Sequence, residues 1–84
     1  MIVRKQFEFS ERQAEMISHL KRVCDLPSEK NVIEEALVLM SWAVNEVASG
    51  HAIGAFDKER KLLREITSTA LEKARHWELA KAKT

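Results

Sequence analysis

The chain has 84 residues, 45% hydrophobic and 32% charged, with 14 Lys and Arg against 13 Asp and Glu for a formal net charge of +1. That length holds one domain, which on its own removes only about 60–65% of its unfolded surface from water, so pairing with a second copy would help it. The apolar fraction excludes a disordered chain, and no run approaches the roughly 18 apolar residues of a membrane-spanning helix.

The charge is unevenly spread. Residues 1–31 carry six basic and five acidic groups, residues 32–56 carry Glu34, Glu35 and Glu46 with no Lys or Arg, and residues 57–84 carry eight basic and five acidic. A densely anionic partner would therefore be met by one face or one end. Met1-Ile2-Val3-Arg4-Lys5 has no long apolar run behind its basic residues and does not read as a secretory signal, so a cytoplasmic site is expected. Cys24 has no intrachain partner for a disulfide, and beside Leu20 and Val23 it reads as a buried structural thiol.

In chain order, Val3, Lys5, Phe7 and Phe9 alternate with Arg4, Gln6 and Glu8, which predicts a strand over about residues 2–9. Ser10 and Gln13 have the spacing of a capping box, and Glu11 suits the positive end of the helix they would open. Met16, Ile17, Leu20, Val23 and Cys24 then form its apolar stripe. Asp25-Leu26-Pro27 predicts a turn, because Pro27 disfavours helical dihedrals at Leu26 and Asp tolerates a left-handed backbone. Ser28 caps a second helix that runs to about Ala48 and is closed by Gly50. It carries two adjacent apolar lines, Ile33, Leu37, Met40, Val44 and Val47 beside Val32, Ala36, Leu39 and Ala43, and so needs partners on two sides. Next comes a hairpin of Ala52–Phe56 and Leu62–Ile66 around Asp57-Lys58-Glu59-Arg60, although Lys61–Ile66 also suits a backward extension of the last helix. That helix spans about Ser68–Ala82, with Ala70, Leu71, Ala74 and Trp77 on one side.

Strand, capped helix, tight turn and second capped helix, in that order, resemble the ribbon-helix-helix family of MetJ and Arc type DNA-binding proteins. The stretches that carry the likeness are Phe7-Glu8-Phe9-Ser10, Leu26-Pro27-Ser28 and Val32-Ile33-Glu34-Glu35-Ala36-Leu37, covering about residues 2–47. The rest looks like the extension of some small bacterial members. The resemblance implies a mainly α intertwined homodimer whose N-terminal strands form an intermolecular antiparallel ribbon. Residues 1–48 would be the DNA-binding and dimerisation domain, and residues 49–84 an extension of hairpin plus helix. Asp25 stands where the family usually has glycine, and Glu8 is an uncommon acidic group on its reading surface.

The implied function is sequence-specific transcriptional regulation, as a repressor, with the ribbon inserted into the major groove of double-stranded DNA. Arg4, Gln6 and Glu8 would face the bases: Arg can pair bidentately with guanine, Gln with adenine, and Glu can accept from cytosine N4. The same three residues also fit a plain solvated strand face. Lys5, Ser28, Glu29 and Lys30 would contact phosphates, the last three at the amide-rich start of the second helix. Val3, Phe7, Phe9, Ile33, Leu37, Met40 and Val44 would form the dimer core, and dimers could assemble further on DNA. Lys58, Arg60, Lys61 and Arg64 suit either supplementary phosphate contacts or solvent-facing charge. The alternative function is an antitoxin, or more broadly a protein-interaction module, whose residues 51–84 bind a toxin protein.

Enzyme chemistry is not expected. None of Ser10, Ser18, Ser28, Ser41, Ser49 and Ser68 sits in a nucleophile motif, and Gly50 and Gly54 are too few to wrap a nucleotide. His19, His51 and His76 fall on three different elements without metal-ligand spacing, so neither a metal nor a cofactor is expected, and Trp42 and Trp77 read as packing or dimer-contact residues.

Overall fold

A computed structural model describes residues 1–82, with the side chains of all of these except 62, 63 and 78–82. The last two residues of the expected 49–84 extension lie outside the described residues. The order is α1 (Glu11–Val23), α2 (Glu29–Ala48), β1 (Ile53–Phe56), β2 (Leu62–Ile66) and α3 (Thr69–Ala82), a mainly helical chain with a small antiparallel sheet. It divides into two compact units, Met1–Ala36 and Leu37–Thr84.

In the first unit, the start of α1 is fixed by a complete capping box. Ser10 Oγ accepts from the Gln13 amide at 3.1 Å and Gln13 Oε1 accepts from the Ser10 amide at 3.0 Å, which satisfies two otherwise orphaned donors. The helix ends because Asp25 turns left-handed, with φ +51°. That turn lets the Leu26 amide donate back to the Lys21 carbonyl at 2.9 Å and the Asp25 amide to Arg22 at 3.3 Å, the two bonds of a Schellman close. Ser28 then opens α2, its Oγ accepting from the Asn31 amide at 3.2 Å and donating to Asn31 Oδ1 at 2.6 Å.

In the second unit, α2 closes in the same way at Gly50. The His51 amide donates to Glu46 at 3.0 Å and the Gly50 amide to Val47 at 3.1 Å, with Gly50 at φ +91°. A Cβ on Gly50 would meet nothing within 4 Å, so it is the backbone conformation and not space that calls for glycine. The hairpin pairs Ile53 with Ile66, Gly54 with Glu65, Ala55 with Arg64 and Phe56 with Leu62, leaving Leu63 as the extra residue of a bulge. Residues 62–66 are therefore strand and not an extension of the last helix. Ser68 separates the two, its Oγ accepting from the Leu71 amide at 3.2 Å to open α3.

The hairpin turn is built by Asp57. The Arg60 amide donates to the Asp57 carbonyl at 3.0 Å and the Asp57 amide to the Lys61 carbonyl at 3.1 Å. The Asp57 carboxylate accepts from the amides of Glu59 at 2.9 Å and Lys61 at 3.0 Å. This is a three-residue loop, Lys58-Glu59-Arg60, whose last residue must be left-handed, and Arg60 is, at φ +63°. Glycine takes that conformation freely, whereas for a residue with a Cβ it costs about 1–2 kcal/mol.

The buried apolar residues among those described are Val32 in the first unit, at 5% exposure, and Val47 and Leu71 in the second, at 2% and 8%. No residue of α1 is buried. In the second unit Val44, Asn45 and Ala48 of α2 and Ala74 and Trp77 of α3 line a common cavity of about 420 Å³.

Two sequence expectations need correction. Residues 1–10 form neither helix nor strand in the single chain. A strand exists only through ladder bonds to a second strand, and the chain's own hairpin pairs with itself. Cys24, expected to be buried, is exposed. It sits at the end of α1, and Met16, Leu20 and Val23 of the same stripe are 54%, 40% and 65% exposed, so the stripe that would shelter the thiol is itself uncovered.

Candidate nucleic-acid interface

The first ten residues are all exposed and lead directly into the capping box, with Ser10 still extended at φ −66°, ψ 164°. In an extended conformation the side chains of this segment would alternate, with Val3, Phe7 and Phe9 on one side and Arg4, Gln6 and Glu8 on the other. The apolar members are not covered: Val3 is 65%, Phe7 70% and Phe9 49% exposed. Lys5 is exposed as well.

The start of α2 offers a different chemistry. Helix geometry leaves the first-turn amides without a carbonyl one turn back, and the Asn31 amide is taken by Ser28. The amides of Glu29 and Lys30 point the same way, toward a region of partial positive charge that suits an anion. Glu29 and Lys30 are exposed and Ser28 is half-buried. Lys30 Nζ lies 3.5 Å from Glu34 Oε1 with both side chains largely in water, a pair worth roughly 0.3–0.5 kcal/mol that a phosphate can outcompete.

The expected dimer-core residues fall into two groups. Ile33 and Val44 are half-buried, while Leu37 and Met40 are 63% and 51% exposed. Around them Val38, Leu39 and Trp42 are 68%, 64% and 51% exposed, so the middle of α2 is bare on several sides. Val38 lies outside both apolar lines of the sequence pattern. It shares a side of α2 with Trp42, four residues on, and a single side of a helix is easily hidden among its polar neighbours Ser41 and Asn45.

No protein-family model, curated protein or solved structure matches this chain. Among the described residues no group of three or more His, Cys, Asp and Glu side chains is placed to hold a metal ion, and no helix is long and apolar enough to cross a membrane. What the exposed residues offer chemically is, in the first unit, apolar side chains on residues 3–9 and α1 beside polar or cationic ones at Arg4, Lys5, Gln6 and the start of α2, and, in the second unit, apolar side chains at the middle of α2.

Proposed function

We propose that the protein is a homodimeric, sequence-specific DNA-binding regulator of the ribbon-helix-helix kind, acting as a repressor by occupying its site. The observation that carries this reading is the uncovered N-terminal segment. Val3, Phe7 and Phe9 lie open to water on a stretch that is neither helix nor strand, immediately before a firmly capped helix. Pairing with the same segment of a second copy supplies the missing ladder bonds and turns the three apolar side chains inward. Arg4, Gln6 and Glu8 then face outward on a two-stranded ribbon, the shape that fits a major groove.

Lys5 and the amide-bearing start of α2 at Ser28, Glu29 and Lys30 serve as phosphate contacts that set the register of the ribbon. The ordered hairpin and α3, with Leu71 buried, favour a stand-alone regulator over an antitoxin whose tail folds only on a toxin.

A salt-dependent titration of the purified protein against duplex DNA tests the reading. Binding whose log affinity falls linearly with log salt, by about 0.9 per phosphate contacted, is expected. Absence of binding at low salt would reject it. The Arg4→Ala and Gln6→Ala variants should relax sequence preference; an unchanged preference would remove those residues from the reading surface.

A further inference from the structure

The hairpin tip combines an unusual backbone with an unusual charge. Position 60 is the left-handed residue of a three-residue hairpin loop, the place where glycine is free of strain, yet it holds an arginine at φ +63°. Strained positions of this sort persist when the side chain is needed and the surroundings hold the backbone in place. Here the surroundings are explicit. Asp57 commits its carboxylate to the amides of Glu59 and Lys61, so the loop is held from below and its acidic group is occupied.

The remaining charges of residues 57–64 are one-sided, with the acidic Glu65 next along the strand. Glu59 lies 3.7 Å from Lys61 Nζ, which uses the second acidic group of the loop. Among the described residues Lys58, Arg60 and Arg64 have no ion-pair partner, and all three are exposed. Arg64 sits opposite Ala55 in the ladder, so it is carried by the strand and not by the loop.

We infer that the hairpin tip is a second phosphate-contacting element for duplex DNA, with Arg60 as its central residue and Lys58 and Arg64 beside it. The inference rests on the DNA-binding reading above and extends it to a part of the chain outside the ribbon and the start of α2. An arginine presented on a fixed turn offers a planar fork to a phosphodiester oxygen pair, and less side-chain freedom is lost than from a loose tail. The contact carries no base information, so it adds affinity and not sequence preference.

The test uses Arg60→Gly and Arg60→Lys in the full chain, with a short fluorescent duplex of mixed sequence titrated over a salt series. Arg60→Gly removes the cation while relieving the backbone, so Tm should hold or rise, by up to about 8 °C. Its salt slope should fall by about 0.9 per subunit, and at about 0.1 M salt its duplex affinity should be roughly tenfold lower for each phosphate that Arg60 no longer engages. Arg60→Lys should keep most of the slope. If the parent protein binds and Arg60→Gly binds with the same slope and affinity, the assignment is overturned, the DNA-binding reading stands, and an acidic protein face becomes the partner to seek for the tip. A fall in Tm with Arg60→Gly would mark the residue as structural and likewise overturn it. If the parent protein shows no salt-dependent duplex binding, both readings fall together.

Discussion

Residues 2–9 and residues 53–66 both read as strand in the sequence, yet only the second forms a sheet. In the hairpin the partner strand is five residues away, the turn is held by two hydrogen bonds that the Asp57 carboxylate accepts, and the ladder closes within the chain. In the N-terminal segment Val3, Phe7 and Phe9 alternate with Arg4, Gln6 and Glu8 in the sequence, but among the described residues no ladder forms with it. The contrast teaches that alternation reports what a backbone is suited to, while the ladder depends on where a second strand is found. For the first segment, we hold that the second strand is another copy.

The largest test of that contrast is to remove the rings from each segment in turn. Phe7→Ala with Phe9→Ala should dissociate the dimer and unfold much of the chain, since each ring buried in a ribbon contributes about 3–5 kcal/mol. Sedimentation should then show monomer at a concentration where the parent protein is expected to run as a dimer. Phe56→Ala in the hairpin, at a side chain 60% exposed, should cost under about 1 kcal/mol. Equal effects from the two would erase the distinction.

A middle-sized effect sharpens the comparison from the hairpin side. Asp57→Ala removes two hydrogen bonds that hold the turn, for a loss of about 1–2 kcal/mol read as a lower Tm, with dimerisation intact. Ser10→Ala breaks the capping box that follows the N-terminal segment and should cost about 1 kcal/mol by the same measurement. The smallest is Lys30→Ala. Losing its exposed pair with Glu34 should change stability by no more than about 0.5 kcal/mol, while duplex affinity falls and the salt slope drops by about 0.9 per subunit.

How much of this is legible in the sequence depends on whether the cause is local. Ser10 with Gln13, Asp25 before Pro27, Gly50, and the polar run at Asp57 each act within a few residues, and each produces the boundary its chemistry implies. Cys24 departs from its pattern because a thiol beside Leu20 and Val23 is buried only if another surface covers that end of the stripe, and none of the described residues does. Arg60 carries no local signal, since a left-handed arginine looks like any other charged turn residue until the loop length is fixed. For the candidate interface, the alternation of Arg4, Gln6 and Glu8 with Val3, Phe7 and Phe9 can be read directly. Whether those side chains meet bases depends on a partner strand and a duplex, neither of which is written in these residues.

Amide hydrogen exchange over residues 2–9, followed by NMR at a protein concentration where the mass is also measured, tests the central claim most directly. A two-stranded antiparallel ribbon protects every second amide along the segment, in a particle of about twice 9.7 kDa. Uniformly fast exchange through Phe9 in a particle of single-chain mass would contradict it.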